Sequence, residues 1–430
     1  MAEDDVQPRE LQKSLNFFQV TVSGVGIVIG AGIYVLIGPA TAEAGSAVWA
    51  SFALAALLAA LTGLSYAELA GMFPTAGAEY TFARRAFNEL TGFVTGWLMV
   101  CANIIAAAAV SIGFAHYLRH FVDLDLRIAA AGLIVVLTCI IAGGIQRSIW
   151  LSVALVVLQV GGLILVIVAG VPHFGDTSLT EGATVSGVWA GAALIFFAFI
   201  GFDEVVTLSE ETRDAHRTIP RALLVALFIS TVLYVLVAIA SVSVVGSDVI
   251  GESDRPLTLV IAHNWGDRAG DIVAFIALAS TTNTTLLVLT AASRLLFGMS
   301  RDRSLPSVLS RVTHRGRTPY VAAVLAGGVA IAFAMIEDIG LVASATDFAV
   351  YAIFIVVNGA LVALRFRMPE AARTFVTPLS VARVPVLPVL GAVTAVLMMV
   401  RLETDAVLIG LAAGALGLVI WIGLNARRRA

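Results

Sequence analysis

The chain is 430 residues long; 59% of them are hydrophobic, only 13% are charged and the formal net charge is −3, with a mean hydropathy of +0.97. A water-soluble chain carries about 25% charged residues, so the composition excludes a disordered protein, a nucleic-acid binder and an ordinary cytosolic enzyme. At ~20 apolar residues per membrane crossing, it predicts an all-α integral membrane protein with room for about twelve helices and little else.

The small counts narrow the chemistry. Of the 26 basic residues, Lys13 is the single lysine, so no GxxxxGK[ST] phosphate loop is present and uphill transport would need another gradient. Cys101 and Cys139 lie in apolar stretches, where a thiol acts as a small hydrophobe. His116 and His120 share one helix face, a spacing that metal sites use, but at a span end it equally suits interfacial anchoring. No Ser/His/Asp or CxxC arrangement stands out, and the expectation is a non-enzyme with no metal and no cofactor.

In chain order, residues 1–16 are polar and contain acids, which predicts a retained cytoplasmic segment and no cleaved leader. Twelve apolar runs bounded by charge, Pro or Gly follow, at about 17–38, 47–69, 90–118, 128–144, 149–170, 187–209, 220–245, 270–297, 319–336, 340–364, 384–400 and 404–424. Residues 425–430 form a basic tail. Placing the N-terminus inside puts 21 Lys/Arg in the cytoplasm and only Arg119, Arg127, Arg255, Arg268 and Arg401 outside. That asymmetry is the positive-inside bias, and it requires both termini to be cytoplasmic.

All twelve prolines fall at span ends or in loops, so a break in mid-membrane must come from glycine. Span 1 reads SGVGIVIGAGIYVLIG; span 6 reads FFAFIGFDEVVTLSEE, with Asp203 and Glu204 at membrane depth. If spans 1–5 (17–170) and 6–10 (187–364) are inverted repeats, the two interrupted spans correspond, and 384–424 adds two further helices. Freed backbone groups survive in a membrane only where protein or a water-lined cavity satisfies them. Two facing breaks therefore imply a cavity, unless the glycines serve only close packing. The half-helix that begins near Gly30, Ala31 and Gly32 presents N–H groups suited to a carboxylate. The half-helix ending near Phe197 to Ile200 presents carbonyls suited to an ammonium, and together they fit a zwitterion such as an α-amino acid.

Asp203 and Glu204 diverge by ~100° on a helix, so one of them readily faces the interior. An ionisable residue at this depth is a functional candidate by default, and Asp203 is the proton-coupling candidate; a structural hydrogen bond to nearby backbone is the alternative. Glu68 and Asp347 are placed at span ends, either interfacial or tied to substrate or proton. Glu210 and Glu211, beside Arg213 and Arg217, suit a solvated or gate-forming salt bridge.

At this point the residues resemble the amino acid-polyamine-organocation superfamily, most closely its cationic-amino-acid-transporter-type permeases. The resemblance runs from about Phe17 to Pro378 and rests on GVGIVIGAGIY, SYAELAGMFPTAGAEYTFARRAF, FFAFIGFDEVVTLSEETRDAHRTIPRA and SRLLFGMSRDRSLP, in that order. It implies a five-helix inverted repeat with two added helices, alternating access, and transport of amino acids or related amines across the cell membrane. It also implies that the substrate carboxylate meets the N–H groups of Gly30, Ala31 and Gly32, and the amino group the carbonyls of Val28, Phe197 and Ile200. Phe197 matches the aromatic gate and Asp203 the acid after the span 6 break. One departure matters: several proton-coupled relatives have a lysine in span 5 where this sequence has Gln159, which cannot cycle a proton. Thr281 and Thr282 of span 8 are then candidates for sodium, since hard cations prefer oxygen. The expected partners are a small-molecule substrate and the lipid bilayer, with no nucleic acid. The sequence leaves open a polyamine or other amine substrate, sodium coupling, a transport-dead sensor or a channel, and the oligomeric state.

Overall fold

The computed structural model describes residues 15–75, 77–143, 149–312 and 318–429. Most of the N-terminal segment, Lys13, Arg147, Arg315 and Arg317 lie outside them. Sixteen α-helices follow in chain order: α1 (Phe17–Val28), α2 (Gly32–Ala44), α3 (Val48–Met72), α4 (Ala78–Ala86), α5 (Glu89–Leu118), α6 (Leu126–Gly143), α7 (Ile149–Gly170), α8 (Val185–Ile195), α9 (Ala215–Val245), α10 (Ser247–Gly251), α11 (Pro256–Trp265), α12 (Asp267–Arg301), α13 (Tyr320–Ala334), α14 (Ile339–Arg367), α15 (Val386–Met399) and α16 (Thr404–Arg429). A short hairpin, β1 (Ser380–Val381) with β2 (Val384–Pro385), joins α14 to α15.

Among the described residues, nine helical stretches are long and apolar enough to cross a membrane, and α1, α13 and α15 are shorter apolar helices. The most apolar stretch of α5 is 83% buried and that of α14 67%, against 11% for α16. α5 and α14 therefore form the middle of the bundle and α16 its rim. Small residues allow the close approach that replaces hydrophobic driving force inside a membrane. The run Ala106 to Ala109 on α5 is buried throughout.

Two spans are interrupted, as the glycine pattern predicts. α1 stops at Val28 and α2 starts at Gly32. α8 passes into a 3-10 turn (Phe196–Phe199), breaks over 200–202, and resumes as a second 3-10 segment (Asp203–Glu211), so the second half of this span is not α-helical. Gly201 has φ +113°, a backbone region that L side chains avoid. The start of α1 is pinned to the far end of the same span. Leu15 N–H donates to Glu211 O (3.0 Å), and Arg213 N–H donates to Leu15 O (2.9 Å). At α1 itself, Asn16 accepts from Gln19 N–H at 2.9 Å while the Gln19 side chain accepts from Asn16 N–H at 3.0 Å, a reciprocal cap that satisfies two open donors.

The backbone of residues 425–429 continues α16. Two expectations are corrected here. Pro39 and Pro220 lie inside α2 and α9 rather than at span ends, yet neither interrupts its helix. Glu68 is fully buried in α3 rather than interfacial: Arg365 Nε and Nη2 donate to its two oxygens (3.0 and 2.6 Å), Thr377 N–H adds a third bond (2.8 Å), and Arg373 lies 3.1 Å away. It fastens α3 to the end of α14 and to the chain before β1.

Candidate functional site

The two breaks touch. A Cβ on Gly32 would stand 2.6 Å from Ala198 Cα, and one on Gly201 would stand 3.1 Å from Ile27 Cγ2. The first turn of α2 thus abuts the 3-10 turn of the other broken span, and the last turn of α1 abuts its break. Between them lies a cavity of about 50 Å³ that Val28, Gly30, Ala31, Gly32, Phe197 and Ile200 all line. Every residue that the sequence nominated for substrate contact is therefore on one wall system. Ala106 and Val110 of α5 and Leu287 and Val288 of α12 close it with aliphatic surface, and Thr284 and Glu204 supply its polar side chains.

Several backbone groups at the breaks already have partners. Ala31 N–H donates to Thr284 Oγ1 at 3.1 Å. The Tyr234 hydroxyl reaches Val28 O at 2.8 Å and Ala198 O at 3.0 Å, so one buried phenol ties the two broken spans together. Phe197 O accepts from Ile200 N–H at 3.2 Å. Sequence reasoning missed both Thr284 and Tyr234. The six-residue polar run from Ser280 to Thr285 inside an apolar helix was the available signal for the first; a lone tyrosine in α9 gave none for the second.

Asp203 and Glu204 divide differently from the expectation. Asp203 is buried and folds back to accept from Gly201 N–H at 3.1 Å, the short-range bond to nearby backbone that aspartate makes readily. Glu204 is the carboxyl that lines the cavity. Gln159 lies on α7 against α2 and α12. Its amide donates to Ser280 Oγ (3.0 Å), and its backbone oxygen accepts from Tyr34 (2.7 Å). Thr281 turns to its own helix and donates to Ala277 O and Leu278 O (2.8 and 3.1 Å). Thr282 is half-buried on the same helix. The α12 hydroxyl that reaches the span 1 break is Thr284.

Asp347 is not at a span end. It lies eight residues into α14, about 12 Å along the axis at 1.5 Å per residue, and is fully buried with neither carboxyl oxygen hydrogen-bonded. Its side chain faces the backbone N–H of Phe197, and Tyr351, one turn on, donates to Ala193 O at 3.0 Å.

A further acid comes from outside the spans. Glu79, on the short helix α4, is buried. Burial, then the charge of Asp203, raises its carboxyl from 4.5 to about 8. Between them stands Tyr66 of α3, its ring edge-on to Phe82 (6.2 Å) and to Phe202 (5.7 Å). Glu79 was missed because it lies in a polar stretch that read as a loop. His116 and His120 are drawn to different partners, Asp254 at 3.4 Å and Asp271 at 2.6 Å. Among the described residues no group of three His, Cys, Asp or Glu is placed to hold a metal ion.

A helical membrane bundle with two touching broken spans and a polar-ended cavity between them is the architecture of a transporter. Residues 15–419 match the sequence profile of the amino acid permease family, and the chain belongs to that family, within the amino acid-polyamine-organocation superfamily. It is 30% identical over 405 residues to the branched-chain amino acid permease BcaP of Bacillus subtilis (strain 168), covering 88% of this chain and 86% of that one. It is 29% identical to the methylthioribose transporter of the same organism, with 89% and 87% covered. It is 28% identical to the vacuolar cationic amino acid transporter 4 of Arabidopsis thaliana, with 84% and 65% covered. The protein is a multi-pass membrane transporter.

Proposed function

We propose that the chain carries a small neutral amino acid across the cell membrane by alternating access, coupled to protons or by exchange. The observation that carries this reading is the pairing at the cavity: N–H groups at the start of α2 on one side, carbonyls and Glu204 on the other. The first suits a carboxylate at a helix N-terminus; the second suits an ammonium. The aliphatic walls favour an apolar side chain, and the similarity to a branched-chain amino acid permease supports the same choice. A cavity of about 50 Å³ holds roughly a water or two, so substrate entry requires the broken spans to part. The same reading takes the chain as twelve crossings, α1 with α2 counting as one and α8 with its 3-10 segments as another. Residues 17–170 and 187–364 are then the inverted repeats, α15 and α16 the added pair, and both termini are cytoplasmic. A cationic or polyamine substrate is the second reading, favoured by the acid in the cavity wall and by the names of the plant relatives.

Uptake of labelled leucine, alanine, arginine and putrescine by purified protein in liposomes tests this, with an inward proton gradient imposed or collapsed and sodium absent. Gradient-stimulated accumulation of leucine or alanine is expected. Preference for arginine or putrescine overturns the substrate class. Rescue only by sodium moves the coupling to the hydroxyls of α12, and the absence of any flux or exchange overturns transport in favour of a sensor.

A further inference from the structure

Transport coupled to protons needs a way for the proton to leave the buried carboxyls of the broken span. Four groups run from the cavity toward the end of the bundle that carries α4. Glu204 lines the cavity. Asp203, next to it, is bonded to the break. Tyr66 is fully buried, and its hydroxyl faces the Glu79 carboxyl with Asp203 nearby. Glu79 is the last and sits on α4, whose neighbouring residues Arg84 and Arg85 are exposed. The charges that act on Glu79 are those of Asp203 and Glu204, both acidic. The arginines around α4 are engaged elsewhere. Arg84 pairs with Glu89, Arg85 stacks on Phe73, Arg367 donates to Ala86 O and Arg365 is held by Glu68. Three carboxyls and a phenol thus share a buried region, and among the described residues the charges set against Glu79 are both acidic; like charges so placed cannot all ionise together.

Resting on the proton-coupled reading above, we propose that Glu79 is the exit group of a proton path from Asp203 to the cytoplasm, with the Tyr66 hydroxyl between them. The step balances. The Asp203 carboxyl gives its proton to a lone pair of the Tyr66 oxygen while the Tyr66 O–H proton passes to the Glu79 carboxylate. This leaves Asp203 ionised, Tyr66 a neutral phenol as before, and Glu79 protonated. Glu79 then releases the proton to cytoplasmic water. The direction reverses with the gradient. Glu79 and Tyr66 touch no substrate; they move the proton that resets the carrier.

The test separates coupling from substrate movement. Wild type, Glu79→Gln, Glu79→Asp and Tyr66→Phe are reconstituted in liposomes and given labelled leucine in two assays: accumulation driven by an imposed proton gradient, and counterflow against unlabelled leucine at equal pH. Glu79→Gln and Tyr66→Phe are expected to lose accumulation at least tenfold while keeping counterflow within twofold, and Glu79→Asp to recover accumulation. Wild-type accumulation in Glu79→Gln overturns the proposal. So does parallel loss of both activities in that variant, because a purely structural residue gives that result. If wild type shows counterflow but ignores the proton gradient, the coupling reading fails and this path with it. If wild type does not exchange leucine at all, the proposed function itself fails.

Discussion

Thr284 accepts a 3.1 Å hydrogen bond from the N–H of Ala31, so a donor that the proposed function assigns to the substrate carboxylate is held by a side chain from the facing helix. A carboxylate that binds there must take the place of the threonine hydroxyl. Thr284→Ala frees the N–H and leaves it without that acceptor. The expected cost is about 0.6–2 kcal/mol, the range for one intramembrane hydrogen bond. The melting temperature in detergent should fall, and added leucine should restore more of it than in wild type. An unchanged melting temperature would show that the bond contributes nothing.

Gly32 is required by contact, not by conformation. A Cβ there meets Ala198 Cα at 2.6 Å and Ala198 Cβ at 2.9 Å, and the first of these is backbone that cannot swing aside. Gly32→Ala should therefore push the broken spans apart, costing about 1–3 kcal/mol by overpacking and lowering leucine uptake at least tenfold. Uptake at the wild-type rate in Gly32→Leu would remove the cavity from the transport path.

The Glu68 cluster predicts a loss of stability without a specific loss of coupling. Glu68→Gln leaves Arg365 buried beside a neutral amide, and breaking a buried pair from one side costs about 3–5 kcal/mol. Replacing Glu68 and Arg365 together, Glu68→Leu with Arg365→Met, should recover part of this, because Arg373 is then the one charge of the cluster left without its carboxylate. The measurement is thermal aggregation of the detergent-solubilised proteins; a double variant no better than the single one would assign the residues another role.

Glu79 predicts a pH dependence. Its carboxyl is raised from 4.5 to about 8 in the folded protein, so between those values the native form holds more protons than the unfolded one. Stability then declines as pH rises through that window and levels above about 8. Wild type should melt at progressively lower temperature from pH 5 to pH 8, and Glu79→Gln should show a shallower decline. Equal slopes for the two proteins would contradict the burial of this carboxyl among acids.

Tyr234 holds both broken spans through one hydroxyl, at 2.8 Å from Val28 O and 3.0 Å from Ala198 O. Tyr234→Phe keeps the ring, which packs against Phe52 and Phe199, and removes only the donor. A loss of about 1–3 kcal/mol is expected from the two buried carbonyls left unbonded, seen as a lower melting temperature. Retention of the wild-type value would mean that other donors replace it.

That the chain is a helical membrane protein, where its apolar spans run and which two of them break are all legible in the order of its residues. Those properties follow from local composition: 59% hydrophobic residues, glycine at Gly30 and Gly201, and charge at span ends. The six cavity residues are legible there too, since the groups that a broken helix exposes belong to the break itself. Which side chains meet those groups depends on how the helices pack. Whether Asp203 or Glu204 enters the cavity depends on the 3-10 geometry beyond Gly201, which no periodicity reveals. That Thr284 rather than Thr281 reaches Ala31 depends on the rotation of α12, and a helix apolar on most faces carries no pattern that fixes it. Glu68 and Asp347 read alike as acids at span ends. The fold gives the first two arginines and the second no hydrogen-bond partner, because partners distant in sequence, 297 residues for Glu68 and Arg365, are brought together by packing alone.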